Sequence, residues 1–271
     1  MSDLIFEVNG PVARITLNRP EVRNAFSDEM LRLWVEALIE AQDRQDVRAI
    51  VVTGNGSAFC AGGDVKSMAK GNGFLTNAEQ TDQAEVVELK NSLWKKVHRV
   101  ALTLQDVDKP VIASINGAAT GAGLDMALLC DLRIAADTAM FAESYVNIGL
   151  VPGDGGAFLL PRLVGLSKAL ELLWTGDAFD AEEAERIGLV NKVVPEVELE
   201  TATAELANKL SAGPPIAMAL IKRAVFQGLN SDLRTALDSI SSHMAIVTQT
   251  RDYKEGLEAF LEKRKPDFTG Q

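Results

Sequence analysis

Three glycine-rich segments hold the residues whose types and spacing could do chemistry. Residues 59–66 read FCAGGDVK and follow a predicted strand. Their small side chains let backbone N–H groups approach a ligand closely, although an ordinary strand-to-helix loop is the alternative interpretation. Residues 115–131 read INGAATGAGLDMALLCD, in which a predicted strand enters a glycine turn and then an apolar helix. Unpaired N–H groups at the start of such a helix stabilise negative charge.

The third segment, residues 143–157, carries acid and phenol groups in a glycine-rich loop that reads ESYVNIGLVPGDGGA. Acid–base catalysis needs groups of this kind within hydrogen-bonding reach of the substrate proton. Any one of Glu143, Tyr145 and Asp154 could be a solvated loop residue. Their occurrence together with two glycine-rich backbone segments favours a functional site.

Two other enzyme classes find less support. The glycine spacing in residues 117–123 also resembles the phosphate turn of short-chain dehydrogenases. That turn lies more than 100 residues into the chain, and neither Tyr145 nor Tyr253 is followed four residues later by the lysine that a reductase needs. A serine hydrolase would need a G-x-S-x-G motif, which the sequence lacks. Both histidines, His98 and His243, fall in helical stretches and are interpreted as core or surface residues.

Composition excludes further classes of function. The chain has 271 residues, 47% of them hydrophobic, and a formal net charge of −11. This acidity argues against nucleic acid or an anionic membrane surface as a partner. The N-terminus lacks the basic and apolar regions of a signal peptide, and no apolar run reaches the length of a membrane helix. Two cysteines and two histidines argue against a metal site, and the cysteine usage predicts a reducing, cytoplasmic location.

Alternating strands and helices must position the three segments, and helices alone follow residue 197. Apolar–polar alternation predicts a hairpin, β-branched runs predict buried strands, and Ser27 is expected to cap the first helix. The predicted strands cover residues 4–8, 12–17, 49–53, 110–115, 132–136 and 190–194. The later predicted helices cover residues 80–104, 199–210, 215–229, 231–247 and 252–263. Residues 66–77 are expected to form a mobile loop.

Motifs along nearly the whole chain together resemble the enoyl-CoA hydratase/isomerase (crotonase) superfamily. They are LNRPEVRNA at 17–25, FCAGGD at 59–64, NGAATGAGLDMALLCD at 116–131, IGLVPG at 148–153, LWTGD at 173–177, AEEA at 181–184, GLV at 188–190, and Gly256, Phe260, Lys263 and Arg264. The resemblance implies an α/β fold in which ββα units form a crotonase-like spiral of two near-perpendicular sheets, followed by C-terminal trimerisation helices. We therefore expect a core with the acyl-CoA site over residues 1–196, a helical oligomerisation region over 197–271, and a homotrimer or a hexamer built as a dimer of trimers.

The resemblance also implies the chemistry of the site. Members of the superfamily bind acyl-CoA thioesters and hold a thioester enolate in an oxyanion hole of two backbone N–H groups, which correspond to Gly63 and Ala122. Coenzyme A enters as part of the substrate, so no separate cofactor and no metal are expected. The residues expected to contact it are Val22, Arg23, Ala25, Ala61, Gly63, Asp64, Val65 and Lys66, with Phe260 and Lys263 from a neighbouring subunit. Local basic residues must offset the repulsion between this acidic chain and the phosphates of CoA.

One departure from the family pattern bears on the reaction. The superfamily's hydratases use two glutamates, whose positions hold Asp125 and Tyr145 here. A phenol with the ordinary pKa of about 10 is a poor base at neutral pH, so Glu143 or Asp154 would supply the second carboxylate. We favour Asp154, sharing the acid–base work with Asp125 while Tyr145 donates a hydrogen bond; alternatively, Asp154 caps the helix that starts near Gly155. An enoyl-CoA hydratase is the leading expectation, with a double-bond isomerase or a catalytically idle acyl-CoA-binding protein as alternatives.

Overall fold

Two β-sheets form the frame of the computed structural model, which describes residues 2–69 and 83–271. The strands of the described residues are β1 (Leu4–Asn9), β2 (Val12–Leu17), β3 (Ala49–Gly54), β4 (Ala58–Cys60), β5 (Val111–Ile115), β6 (Ala118–Thr120), β7 (Leu132–Ala136), β8 (Met140–Ala142), β9 (Phe179–Asp180) and β10 (Lys192–Val194). The larger sheet has the order β1-β2-β3-β5-β7-β10, and the smaller one has the order β4-β6-β8-β9.

Helices cover these sheets and make up the C-terminal part of the chain. They are α1 (Asp28–Asp43), α2 (Val65–Ala69), α3 (Gln83–Lys95), α4 (Val97–Asp106), α5 (Ala122–Leu129), α6 (Gly156–Val164), α7 (Leu166–Thr175), α8 (Ala181–Arg186), α9 (Leu199–Ser211), α10 (Pro215–Gly228), α11 (Leu233–Val247) and α12 (Arg251–Glu262). None of the helices in the described ranges combines the length and apolarity that crossing a bilayer requires.

Successive strand pairs build both sheets at once. In each of the pairs β3–β4, β5–β6 and β7–β8, the first strand joins the larger sheet and the second joins the smaller one. Pairing within both sheets is parallel along this series, because helices return the chain to the same end after each pair. The structure therefore confirms the expected α/β spiral of ββα units.

The buried strands are covered on both faces, as their continuous apolar sequences predict. One face of β3 and β5 contributes Ile50, Val52, Val111, Ala113 and Ile115 to the main core, which also contains the apolar stripe of α1. The Ser27 hydroxyl caps α1 by accepting a hydrogen bond from the N–H of Met30 at 3.0 Å, which confirms the predicted start of this helix.

Helix α9 packs on the opposite face of the larger sheet. Val51 and Ile112 of the sheet form a small core with Ala207 of α9. The hydroxyls of Ser114 and Thr203, both buried, hydrogen-bond at 3.0 Å across this interface. The helix nearest to the expected boundary at residues 196 and 197 thus packs with the core, and the proposed division into two domains stays a prediction.

Two sequence-based expectations are wrong in part. The long helix expected over residues 80–104 is two helices, α3 and α4, since the backbone leaves the helical region at Lys96 (φ −109°, ψ −86°). This break directs Val97 and Val100 into the core, and residues 80–82 lie outside the described ranges. The loop expected over residues 66–77 is helical at 66–69, within α2, and residues 70–77 lie outside the described ranges.

Candidate active site

A buried asparagine connects the turn of residues 19–25 to β4, and a backbone hydrogen bond connects the same turn to the loop after β4. Asn24 adopts a left-handed conformation (φ +56°), and its side-chain amide donates to the carbonyl oxygens of Ala58 and Phe59 at 2.8 and 3.2 Å. The N–H of Ala61 donates to the carbonyl oxygen of Arg23 at 2.9 Å. Two segments expected to contact CoA therefore lie side by side, with Val22, Arg23 and Ala25 next to Ala61 and the residues that follow it.

The same loop lies against the start of α5, with no room for side chains between them. A Cβ atom on Gly62 (φ +77°) would lie 2.9 Å from the nitrogen of Ala122, and one on Gly123 would lie 2.2 Å from the carbonyl oxygen of Cys60. Ala122 is the first residue of α5, so its N–H has no acceptor one turn earlier in the helix. The structure thus brings together the two segments that carry Gly63 and Ala122, the expected oxyanion donors.

Three carboxyl groups and a phenol lie close together near this contact between the loop and α5. Asp125 lies in the first turn of α5, Tyr145 follows β8, and Asp154 precedes α6. The Tyr145 hydroxyl lies 2.7 Å from Oδ2 of Asp125 and 2.9 Å from Oδ2 of Asp154. Because a phenol carries one proton, it can donate to only one of these oxygens at a time. The second contact is also a hydrogen bond when the carboxyl group at that contact is protonated and donates to the phenol oxygen.

Glu143 lies behind Asp125 and is 1% exposed. A Cβ atom on Gly156 would lie 2.3 Å from Oδ1 of Asp125 and 3.1 Å from Oε1 of Glu143, so both oxygens flank this glycine. Within the described part of the chain, no hydrogen bond of normal geometry is made to Oδ1 of Asp125 or to either oxygen of Glu143, although the nearby Gly156 N–H lowers the pKa of Asp125. Neighbouring carboxyl oxygens without other donors are stabilised when one of them carries a proton, which then bonds to the other.

Burial determines which of these acids are ionised. It raises the pKa of Glu143 to about 10, and repulsion from Asp125 acts in the same direction. Burial also raises the pKa of Asp125, but only to about 6, because the Tyr145 hydroxyl donates to its carboxylate. The pKa of Asp154 is raised by burial, and that of Tyr145 is raised by burial and by the adjacent carboxylates. At pH 7 Glu143 is therefore neutral, Asp125 is mostly ionised, and Tyr145 is a hydrogen-bond donor.

Two further features adjoin Asp154. The imidazole of His98 on α4 places Nε2 2.7 Å from the carbonyl oxygen of Gly153 and 3.8 Å from Oδ1 of Asp154. A largely apolar cavity of about 770 Å³ opens beside these residues, between α4, α6 and α10. Its wall near the carboxyl cluster consists of His98 and residues 153–155.

The chain is similar to known proteins over nearly its whole length. The sequence profile described as Enoyl-CoA hydratase/isomerase matches residues 7–271. The chain belongs to the enoyl-CoA hydratase/isomerase family. The short-chain-enoyl-CoA hydratase of Clostridium acetobutylicum is 36% identical to it, over 98% of this chain and 97% of that protein. The 1,2-epoxyphenylacetyl-CoA isomerase of Escherichia coli is 35% identical, over 100% of both chains. The crystal structure of enoyl-CoA hydratase from Bacillus anthracis has a TM-score of 0.89 at 34% identity, covering 99% of this chain and 100% of that one.

The family's expected CoA contacts fall into two groups in this structure. Residues 22–25 and 61–66 lie along the fastened turn and loop, with Val65 and Lys66 exposed on α2. Phe260 and Lys263 lie at the end of α12, where the Phe260 side chain is 81% exposed. Among the residues that the structure describes, no hydrogen bond or ion pair joins either of them to the first group. Their contribution from a neighbouring subunit stays a prediction.

The sequence-based account of the acids needs one correction and two additions. Asp154 does not cap α6: Gly155 is the N-cap residue, and no side chain caps this helix end. Within the enoyl-CoA hydratase/isomerase fold, Asp154 instead faces Tyr145 and Asp125. Sequence reasoning gives His98 no part in the site, because its helical surroundings carry no sign of Asp154. The position of Glu143 behind Asp125 is equally hidden in the sequence, although its place two residues before Tyr145 marks it as a candidate acid.

Proposed function

We propose that the chain adds water to the double bond of 2-enoyl-CoA thioesters, which is a lyase reaction. The observation that supports this best is the pair of carboxyls, Asp125 and Asp154, joined through the Tyr145 hydroxyl at 2.7 and 2.9 Å. Hydration needs one group that accepts a proton from water and another that gives a proton to carbon. Asp125, with a pKa of about 6, suits the first role at pH 7, and Asp154, whose pKa burial also raises, is proposed for the second.

The reaction then proceeds with a complete proton balance. The Asp125 carboxylate accepts a proton from water while the water oxygen bonds to the β-carbon. The electrons of the double bond move to the thioester, which becomes an enolate, and protonated Asp154 gives its proton to the α-carbon. The Tyr145 hydroxyl resets the pair by passing its proton to Asp154 and accepting the one held by Asp125.

Backbone N–H groups of Gly63 and Ala122 hold the enolate oxygen in this proposal. The close approach of Gly62 to the nitrogen of Ala122 supports the pairing of these two donors. Their role needs no particular side chain, and Ala122 lies at a helix N-terminus, where the dipole favours an anion. One donor of this kind contributes about 3 kcal/mol to transition-state stabilisation.

The CoA part of the substrate is proposed to bind along residues 22–25 and 61–66, with no other cofactor. Phe260 and Lys263 would reach it from another subunit of a homotrimer or of a hexamer. Large apolar side chains on the C-terminal helices support such an assembly, since Leu233, Phe260 and Leu261 are 74, 81 and 79% exposed. A cytoplasmic location is part of the same proposal.

Double-bond isomerisation is the second candidate, and the protonation of the carboxyl cluster supports it. Glu143 is neutral at pH 7, which leaves Asp125 as the acid that is mostly ionised on the side of α5. Moving a proton between two carbons of an enoyl thioester needs only one well-placed base.

A spectroscopic assay with 2-enoyl-CoA and 3-enoyl-CoA thioesters separates the candidates. Loss of the conjugated-enoyl absorbance indicates hydration, and its gain from a 3-enoyl thioester indicates isomerisation. Neither change, together with retained CoA binding, would indicate a catalytically idle binding protein. In the active enzyme, Asp125→Asn and Asp154→Asn should each lower kcat about 100-fold or more. Wild-type turnover in either folded variant would overturn the proposed roles.

A further inference from the structure

His98 and Asp154 face each other at the wall of the cavity. Nε2 of His98 lies 2.7 Å from the Gly153 carbonyl oxygen, so this nitrogen carries a proton and donates it there. The same nitrogen lies 3.8 Å from Oδ1 of Asp154. Within the described residues, no hydrogen-bond donor reaches that oxygen, while Oδ2 of the same carboxyl is held by Tyr145. The turn that carries Asp154 is therefore held by His98 on one side and by Tyr145 on the other.

Other charged side chains that line the cavity have partners elsewhere. Asp131 pairs with Lys222 at 2.8 Å, and Asp108 pairs with Arg223. The remaining two are arginines: Arg133 donates to the backbone carbonyl oxygens of Leu189 and Cys130, and Arg162 lies over the ring of Phe158 and donates to the carbonyl oxygen of that residue. Among the described residues, the inner side of Asp154 faces the Tyr145 and Asp125 pair, with Glu143 behind it. From α3, the Trp94 ring packs edge-on against the imidazole. His98 is thus the group whose positive charge, when present, acts on Asp154.

Exposure makes His98 the outer member of this chain of groups. Its side chain is 25% exposed, whereas that of Asp154 is 5% exposed. The four side chains lie in a row from the inside of the fold to the cavity, in the order Asp125, Tyr145, Asp154 and His98.

We infer that His98 is a positioning residue for Asp154: it fixes the turn through the Gly153 carbonyl, and its protonation governs how firmly Asp154 keeps the proton that it gives to carbon. This role rests on the proposed function. A positive imidazolium 3.8 Å away favours the Asp154 carboxylate, and a neutral imidazole lets the buried carboxyl stay protonated. A charged His98 therefore lowers the pH at which Asp154 gives up this proton, and an uncharged side chain in its place raises that pH.

Two variants separate the two parts of this role, which are the hydrogen bond that holds the turn and the charge that acts on Asp154. In His98→Gln, the amide can still donate to the Gly153 carbonyl oxygen but cannot become charged. In His98→Phe, the ring can still pack against Trp94, but it cannot donate. We expect His98→Gln to keep the KM of the wild type and to move to higher pH the fall in kcat that accompanies the loss of the Asp154 proton. We expect His98→Phe to show the same shift and also to lower kcat about tenfold at all pH values. Wild-type pH profiles in both variants would overturn the inference, as would a change in KM alone.

An infrared titration tests the same inference without any turnover. The C=O band of protonated Asp154 is identified as the band that Asp154→Asn removes. In His98→Gln this band should persist to higher pH than in the wild type, by about one unit, because a charge within 4 Å is lost. An unchanged titration would refute the role of His98. A shifted titration in a chain that neither hydrates nor isomerises enoyl thioesters would keep the His98–Asp154 coupling and refute the proposed function instead.

Discussion

Glu143 should destabilise the fold at neutral pH, and Glu143→Gln should remove this effect. The residue is 1% exposed, and burial raises its pKa from 4.5 to about 10. Between these values the folded chain holds a proton that the unfolded chain releases, so the free energy of unfolding falls as the pH rises. At pH 7 the difference from the unfolded pKa is about 2.5 units, which corresponds to about 3 kcal/mol at 1.36 kcal/mol per unit.

Glutamine has nearly the size of a protonated glutamate, and its amide can donate to Oδ1 of Asp125, which lacks a donor among the described residues. The variant and the wild type should therefore be about equally stable near pH 4.5. Above that pH the variant should gain about 1.4 kcal/mol per unit relative to the wild type, reaching about 3 kcal/mol at pH 7.

Urea unfolding from pH 4.5 to pH 7.5, at one fixed protein concentration, measures this difference. Glu198→Gln is the matched control: Glu198 is exposed, so its variant should follow the wild-type curve at every pH. Parallel pH dependences for Glu143→Gln and the wild type would show that Glu143 is not neutral in the folded chain, and the reasoning about the carboxyl cluster would fail.

Two other substitutions test the close packing between α5 and the loop after β4, and the role of the Tyr145 hydroxyl. Gly123→Ala places a Cβ atom 2.2 Å from the carbonyl oxygen of Cys60, so α5 and Ala122 must move away from the loop that carries Gly63, and the two proposed oxyanion donors separate. Its kcat should fall at least tenfold, and its unfolding free energy by about 1–3 kcal/mol; wild-type values in steady-state and denaturation assays would contradict this packing. Tyr145→Phe removes the donor that favours ionised Asp125, whose pKa of about 6 should rise. The acidic limb of its kcat/KM profile should move to higher pH. A profile that superposes on that of the wild type would count against the hydrogen bond from Tyr145 to Asp125.

Sequence periodicity predicts the long elements well because their apolar residues repeat over several turns or strand positions. The hairpin of β1 and β2, the buried strands β3 and β5 and the four C-terminal helices all lie within a few residues of their predicted bounds. The smaller sheet could not be predicted in this way, since its strands have only two or three residues each. The bend at Lys96 escapes prediction for a different reason: the helical pattern continues through it, and only packing against the core makes the chain turn there.

The site shows a similar division. Asp125, Tyr145 and Asp154 can be identified from their segments, and the structure brings them into contact. Whether a carboxyl faces a ligand or another carboxyl depends on the path of the backbone, so the neutral state of Glu143 could not be predicted. The approach of His98 to Asp154 depends in the same way on how α4 packs.

The hydrogen bonds of Asn24 have a mechanical consequence for any ligand that spans the site. One side chain connects the turn of residues 19–25 to the carbonyl oxygens of Asn55, Ala58 and Phe59, and the chain then continues through the loop that carries Gly63, a proposed oxyanion donor. Two proposed binding segments therefore cannot shift independently: the one for the nucleotide end of a thioester and the one for its carbonyl group. Attraction gained at the distant end can therefore be used to align the reacting carbon atoms. A truncated thioester without the nucleotide would forfeit that alignment as well as its affinity.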